Sequence, residues 1–345
     1  MEPISLPKAE KARPRLLFIT QKIDENDDDL AFVTQWIKQF VAEGFEIVVI
    51  CLEKGDFDDS FPVFSLGKED GAGRARRLFT FLSLIMTLKY DRVFVHMNPE
   101  YFTFGGWWWY LRGVPSYFWY THYTLTLHVR LASLIAKRMF AATAQSLPQF
   151  EGNPKKVVLG HGIDASFWGD MAEGEPDFHE ILAVHRISRS KQFAIVLQTL
   201  VLLPDYRLTV YGRAIDSAYY TELTALASSL GIIDRVRFAG PVPMPELRKI
   251  YPRYRLMINM AYETIDKTML EVMLFGIYPI TTPTNARAIG LPVYPKDQGP
   301  ETLASFIRNK EWEKVGRKEL RRIVEERHSL AVLVKNMSTY IRPGT

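Results

Sequence analysis

The stretch "ETIDKTMLEVMLFG" (263–276) follows the strand-like run "RLMINM" (255–260) and sets Glu263 and Glu271 eight positions apart, with Asp266, Lys267 and Thr268 between them. A segment that is charged and hydroxylated at its start and almost wholly apolar afterwards reads as a helix whose body packs on a sheet and whose opening faces something polar. Thr268 is the expected N-cap, its hydroxyl answering backbone N–H groups that the first turn leaves unpaired. Those N–H groups, with the positive end of the helix dipole, make a seat for an anion. Glu271, in the first turn, can accept hydrogen bonds from vicinal hydroxyls. Taken singly, Glu271 does no more than complement the dipole and Glu263 is an ordinary surface carboxylate. What the stretch means depends on the strands around it.

Those strands come in two series. The first runs from "RLLFIT" (15–20) through an amphipathic helix, "FEIVVIC" (45–51), a helix near 73–89, "DRVFVH" (91–96), an aromatic helical segment, "PSYFWYT" (115–121), a helix near 125–137 and "MFAATA" (139–144). The second begins at "FHEILAVHRI" (178–187) and continues through "RLTVYG" (207–212), "RVRFAG" (235–240), "RLMINM" and "YPITT" (278–282), with helical spacing between them. Apolar runs alternating with amphipathic helices predict parallel strands joined by crossover helices. The expected class is therefore α/β, with two doubly wound, Rossmann-like domains facing across a cleft. Residues 1–166 form the first and 178–328 the second; an aperiodic linker occupies 167–177, and a last helix in 329–345 is placed to pack back on the first half. Open parallel sheets bind ligands beyond the carboxyl ends of their strands, so the motifs should lie there.

Bulk composition narrows the classes. The chain has 345 residues, 47% hydrophobic and 24% charged, the profile of a soluble globular protein with more than one core. A net charge of +4 suits phosphates or an anionic membrane surface and gives no case for nucleic acid. Cys51 is the only cysteine, which excludes an intrachain disulfide and a cysteine zinc site. The leader "MEPISLPKAEKARPR" lacks the apolar core of a signal peptide, and the longest apolar run, "LFTFLSLIMTL" (78–88), is too short to cross a bilayer. The expectation is a cytoplasmic protein, with peripheral contact to the inner face of a membrane as an option. That option comes from "GGWWWYLRG" (105–113): three consecutive tryptophans cannot share one helical face. They read as a packed aromatic helix, a greasy acceptor channel or a membrane-touching edge, where Arg74, Arg76 and Arg77 would meet lipid head groups.

Other strand ends carry candidate chemistry. In "HRISRSKQF" (185–193), Arg186 ends a strand and Lys191 opens the next helix, which together suit a diphosphate or, more blandly, a solvated loop. "WYTHY" (119–123) places His122 at the cleft, against the reading of a histidine bonded to a backbone carbonyl. "LGHGID" (159–164) sets His161 between glycines in a tight turn, with Gly162 beside the cleft. Asp27, Asp28 and Asp29 are expected to cap the first helix.

Arg186 and Lys191 after one strand, followed by the Glu263/Glu271 pair after a later one, resemble the GT-B glycosyltransferases, specifically the retaining family 4 (group 1). "YGR" (211–213), "VRFAGPVPMPEL" (236–247) and "LEVMLFGIYPITT" (270–282) are similar to that family's segments, in the same order. The resemblance implies the GT-B fold and transfer of a sugar from a UDP- or GDP-sugar to an acceptor hydroxyl with retention, in polysaccharide or lipid-linked glycan synthesis. It implies no metal and no cofactor beyond the nucleotide-sugar co-substrate. By resemblance, Arg186, Lys191, Lys267 and Thr268 hold the donor diphosphate and Glu271 the ribose. Tyr211, Gly212, Arg213 and Val242 lie near the base; His122 and Glu263 lie beside the transferred sugar; His161, Gly162 and Asp266 line the cleft. Where the common pattern has Gly-Phe-Gly after the first glutamate, this chain has Thr264, Ile265 and Asp266, which resembles a subgroup with an Asp-Lys pair, here Asp266 and Lys267. Three alternatives remain open: an epimerase of the same fold, a non-catalytic binding protein, and a metal-dependent transferase using Asp56 and Asp58. A dinucleotide oxidoreductase is disfavoured because the first strand leads into "TQKIDEN" with no glycine fingerprint.

Overall fold

The computed structural model describes residues 13–27, 30–169, 177–262 and 265–342. The first half contains β1 (Arg15–Ile23), α1 (Phe32–Ala42), β2 (Glu46–Lys54), β3 (Val63–Ser65), α2 (Arg74–Thr87) and β4 (Arg92–His96), then α3 (Glu100–Leu111), β5 (Ser116–Trp119), α4 (Leu127–Ile135), β6 (Arg138–Ala141) and β7 (Lys156–Val158). After α5 (Ala165–Trp168) come β8 (Asp177–Val184), α6 (Phe193–Val201), β9 (Arg207–Tyr211), α7 (Ser217–Ser229), β10 (Val236–Gly240) and α8 (Met244–Ile250). The chain continues with β11 (Tyr254–Asn259), α9 (Lys267–Leu274), β12 (Tyr278–Thr281), α10 (Pro283–Ile289), α11 (Pro300–Arg308), α12 (Arg317–Arg327) and α13 (Leu330–Ile341).

The strands form two sheets, ordered β3-β2-β1-β4-β5-β6-β7 and β10-β9-β8-β11-β12, with every pairing parallel. Each sheet reverses its winding once, between β1 and β4 and between β8 and β11. Such a reversal opens a crevice at the strand ends.

The first sheet is buried on both faces, and the alternation of β1 shows how. Leu16 and Phe18 point to a core closed by α1 and α13, where Trp36, Phe40 and Leu333 lie. Leu17 and Ile19 point to a core closed by α2, α3 and α4, where Phe81, Trp109 and Val129 lie. The C-terminal helix thus roofs the first sheet, tied there by Arg92 Nε donating to the Ile341 carbonyl at 2.8 Å and Tyr117 Oη to that of Tyr340 at 2.8 Å. Helix α3 wedges between its neighbours because Gly105 and Gly106 have no side chain. A Cβ on Gly105 would sit 3.0 Å from Phe81 of α2, and one on Gly106 would sit 2.6 Å from Ile135 of α4.

The two halves are joined where the chain crosses twice, side by side. The Ile163 N–H donates to the His328 carbonyl at 2.7 Å and the Leu330 N–H to the Ile163 carbonyl at 2.9 Å, a short parallel bridge. Gly160 is packed so closely there that a Cβ would meet the Arg327 carbonyl oxygen at 2.1 Å.

Two local expectations need correction. Helix α1 begins at Phe32, and Asp27 accepts from the Leu30 N–H at 2.8 Å, ahead of the helix rather than at its cap. The reason is that Asp27 also pairs with Lys22 at 2.8 Å, which holds it against β1. Asp28 and Asp29 lie outside the described residues, as does most of the expected linker. The edge strand β3 was invisible because three residues carry no period.

Candidate functional site

At the second switch point, β8 delivers Arg186 and β11 delivers the start of α9. The two are joined through Lys191 and Asp266. The Lys191 ammonium donates to both carboxylate oxygens, at 2.6 and 2.7 Å, and Asn259 Nδ2 donates to Oδ2 at 2.8 Å. Burial by itself would raise the Asp266 carboxyl, but the Lys191 ammonium and the Asn259 amide outweigh it and hold it below its ordinary value. Neighbouring His185 is pushed down to about 4, chiefly by burial, so it is neutral. Asn259 is itself oriented, its Oδ1 accepting from the Ala261 N–H at 2.9 Å. This network pins the mouth of α9 to the loop after β8.

Three expectations change accordingly. Asp266, not Thr268, holds the N-cap position of α9, and its carboxylate caps no N–H there because Lys191 and Asn259 occupy it. The Thr268 hydroxyl instead donates to the Val184 carbonyl at the end of β8, at 2.8 Å. Lys191 belongs to a 3-10 turn, Arg189–Lys191, that precedes α6, with Gln192 at a φ of +51° between them. Glu271 falls beyond the first turn of α9, so dipole complementation does not explain it. It is buried, pushed up to about 7 by desolvation against the opposing charge of Lys267, and accepts from Tyr251 Oη at 3.4 Å. Tyr251 stacks on Trp168 of α5, at 5.4 Å between rings.

Lys267 reaches across to the first half. Its ammonium lies 3.0 Å from the centroid of the Phe32 ring and 5.4 Å from that of Trp36, both on α1. Among the described residues it has no hydrogen-bond partner, and burial pushes it down to about 7, resisted by Glu271. The rings lie over the first sheet's own switch point, where Thr20 within β1 and His96 at the end of β4 meet at 3.4 Å. His96 is pushed down to about 3 by burial and then by Lys267. Trp36 meets His96 edge-on at 5.4 Å.

His122 lies three residues past β5, exposed and edge-on to Tyr120 at 5.3 Å. Its imidazole is held below its ordinary value by partial burial and then by the charge of Arg186. Arg186 and His122, from opposite halves, thus lie within electrostatic reach of each other. His161 is buried at the double crossing, with Nδ1 at 3.4 Å from Nδ1 of His328. His328 Nε2 faces the Ile289 carbonyl at 3.2 Å and must donate there, so its Nδ1 accepts and His161 Nδ1 carries the proton. Gly162 packs under α13 and α1, where a Cβ would meet Leu333 at 2.5 Å and Trp36 at 2.8 Å.

The "YGR" turn is drawn alongside Arg186. The His185 N–H donates to the Tyr211 carbonyl at 3.1 Å, the Ile187 N–H to that of Arg213 at 2.9 Å, and the Gly212 N–H to that of Gly240 at 2.9 Å. Gly212 has no room for a Cβ, which would stand 2.0 Å from the His185 carbonyl oxygen. Val242, half-buried, packs on the same core just past β10. Glu263 and Thr264 lie outside the described residues.

Sequence reasoning passed over Asn259, His96 and the Phe32–Trp36 pair. Asn259 and His96 were detectable in principle, each being a polar residue at the end of an apolar strand. The ring pair gave no signal, because its partner Lys267 lies in the other half. Asp58 pairs with Lys38 at 2.7 Å, and among the described residues no group of three or more His, Cys, Asp and Glu is placed to hold a metal ion.

Residues 172–288 match the family described as glycosyl transferases group 1. A D-inositol 3-phosphate glycosyltransferase of Mycobacteroides abscessus is 28% identical over 173 residues, 46% of this chain and 38% of that protein. One from a Mycobacterium species is 31% identical over 158 residues, 42% of this chain and 35% of its own length. The chain thus spans well under half the length of these curated relatives. Among solved structures, Anabaena Alr3699/HepE in complex with UDP and glucose superposes with a TM-score of 0.73 at 16% identity, covering 94% of this chain and 98% of that one. The sucrose-phosphate synthase of Thermosynechococcus elongatus gives 0.73 at 14% identity, covering 95% and 98%. WaaG, a glycosyltransferase involved in lipopolysaccharide biosynthesis, gives 0.68 at 14% identity, covering 95% and 100%. The fold is GT-B.

Proposed function

We propose that the protein is a retaining glycosyltransferase of group 1 (family 4) that moves a sugar from a nucleoside diphosphate sugar to an acceptor hydroxyl. The observation that carries this reading is the helix mouth at the ends of β8 and β11, locked by the Lys191–Asp266 pair, with Arg186 exposed beside it. In the proposed step the anomeric C–O bond to the diphosphate breaks and a C–O bond to the acceptor forms on the same face. The acceptor proton passes to the departing phosphate oxygen. Negative charge growing on that oxygen is met by Arg186, by the amides at the mouth of α9 and by Lys191, whose ammonium is held in place by Asp266. Fixed donors aimed at developing charge are the strongest device available for such a step. Lys267 would add its charge once an anion enters, because a nearby diphosphate favours the protonated amine.

The remaining assignments form part of the same proposal. Glu271 takes the ribose hydroxyls, the Tyr211–Gly212–Arg213 turn with Val242 flanks the base, and His122 with Glu263 borders the transferred sugar. His161, Gly162 and Asp266 shape the cleft from behind. The Asp266–Lys267 pair defines a subgroup of the family in this reading. UDP-sugars are the first donor candidates, since a neighbour of the same fold holds UDP-glucose, and GDP-sugars the second. The setting proposed is polysaccharide or lipid-linked glycan synthesis on the cytoplasmic side, with the acceptor bound by the first half.

The test is a thermal-shift panel of nucleoside diphosphates and their sugars, followed by product analysis with and without acceptor. One nucleotide should stabilise the fold selectively, and Arg186→Ala should lower donor turnover about 100-fold or more. Product formed without acceptor would point to an epimerase. Absence of any nucleotide-specific shift or donor hydrolysis would favour a binding protein.

A further inference from the structure

The α2–α3–α4 face of the first sheet carries an apolar surface that no part of the described chain covers. The five most exposed large apolar side chains among the described residues, Phe79, Tyr110, Leu111, Leu127 and Leu134, all lie on these three helices, at 68–76% exposure. Helical spacing makes them stripes: Phe79 and Met86 on α2, Phe104, Trp107 and Leu111 on α3, Leu127 and Leu134 on α4. The stripes adjoin, because the glycine pair lets α3 pack tightly between α2 and α4. The tryptophans divide as their geometry requires. Trp109 is fully buried, Trp108 donates to the Ile85 carbonyl at 3.1 Å, and Trp107 is 46% exposed.

Charge on this surface is one-sided. The three helices carry Arg74, Arg76, Arg77 and Arg130 against a single acid, Glu100; Lys89, Arg112 and Lys137 follow their carboxyl ends, with Glu69 and Asp70 ahead of α2 and Asp91 behind it. Scattered exposed hydrophobics are ordinary, but a contiguous patch marks an interaction surface. Aromatic and leucine side chains ringed by arginines suit the boundary between anionic head groups and acyl chains. A second copy suits it poorly, since a two-fold contact would press one cationic face on another.

We infer that the outer faces of α2, α3 and α4 form a docking surface for an anionic lipid bilayer. No helix among the described residues is long and apolar enough to cross a membrane, so the contact is a lying-on, not a spanning, one. Five positions separate His122 at the cleft from Leu127 at the edge of the patch. If the sugar-transfer reading holds, a lipid-carried acceptor would reach the cleft over this edge; the lipid contact itself does not depend on that reading.

The experiment is sedimentation of the full chain with vesicles of phosphatidylcholine, with and without phosphatidylglycerol. Sedimentation should occur with the anionic vesicles and weaken with salt. The double variant Arg74→Glu/Arg76→Glu should lower partitioning at least about 20-fold, as each basic residue near such a surface contributes about a factor of five. Phe79→Ser/Leu134→Ser should abolish it, with the melting transition and any nucleotide shift retained as proof of folding. Trp107 fluorescence should shift to the blue on binding, and Trp107→Phe should remove that shift. Failure of the wild type to sediment with either vesicle overturns the inference, and so does unchanged binding by the serine variant. Concentration-dependent self-association lost in that variant, without lipid binding, would reassign the face to a second copy and equally overturn it.

Discussion

The two sheets meet the cleft with different chemistry. The second brings charge held in pairs: Lys191 on Asp266, Asn259 on the same carboxylate, Tyr251 on Glu271. The first brings rings and neutral histidines: Phe32, Trp36 and His96, with His122 at the rim. Hydrogen bonds are directional and ring packing is far less so. The charged side is therefore fixed without a ligand, whereas the ring side is held mainly by packing. Lys267 tests this division, because it is a charge from the second half lodged among the rings of the first.

Four measurements would break or sharpen that contrast, taken here by decreasing effect on folding. Lys191→Ala leaves the half-buried Asp266 with one amide for company and should cost about 3 kcal/mol in urea titration; a loss below about 1 kcal/mol would mean the pair does not hold the site. Lys267→Met keeps the stem between Phe32 and Trp36 and removes a desolvated amine. It should stabilise the fold by about 1–2 kcal/mol, and clear destabilisation would show that the ammonium–ring contact outweighs its desolvation.

The pH dependence separates the two groups. Lys267 sits at about 7 when folded and near its ordinary 10.5 when unfolded, so between those values the unfolded chain holds more protons and stability should rise with pH. Glu271 sits at about 7 against an ordinary 4.5, so across that window the folded chain holds more protons and stability should fall as pH rises. Lys267→Met should flatten the alkaline limb and Glu271→Gln the acid limb, read from urea midpoints; because each charge opposes the other's shift, Lys267→Met should also carry the acid limb to higher pH and Glu271→Gln the alkaline limb to lower pH. Arg186→Ala comes last, moving stability by no more than about 0.5 kcal/mol because the side chain is exposed. Its effect belongs to donor turnover, and a large stability loss would mean Arg186 is structural.

Much of this architecture was legible because each half repeats one local rule. Apolar strands such as "RLLFIT" and "RLMINM" and amphipathic helices between them need no distant information. Arg186, the "YGR" turn and the α9 stretch were placed correctly at strand ends for the same reason. What the chain concealed were pairings between residues far apart in sequence. Lys191 finds Asp266 from 75 positions away, and nothing local distinguishes an aspartate that will cap a helix from one claimed by a lysine of another loop. Thr268 lost its expected role because the helix opens ahead of it, at Lys267, and its hydroxyl bonds the Val184 carbonyl of β8. Likewise the "LGHGID" glycines gave a turn but not its cause, which is the close passage of Arg327, His328 and Leu333.

The roof that α13 lays over the first sheet has a consequence for how the molecule is made. Leu330, Leu333, Val334, Met337 and Ile341 complete a core whose strands end at Val158. A ribosome adding roughly 5–20 residues per second would release β7 on the order of ten seconds before that helix. During the interval one flank of a nascent seven-stranded sheet stays open, so the half translated first is the half that finishes second, and holdase protection should matter most while the second half is being translated.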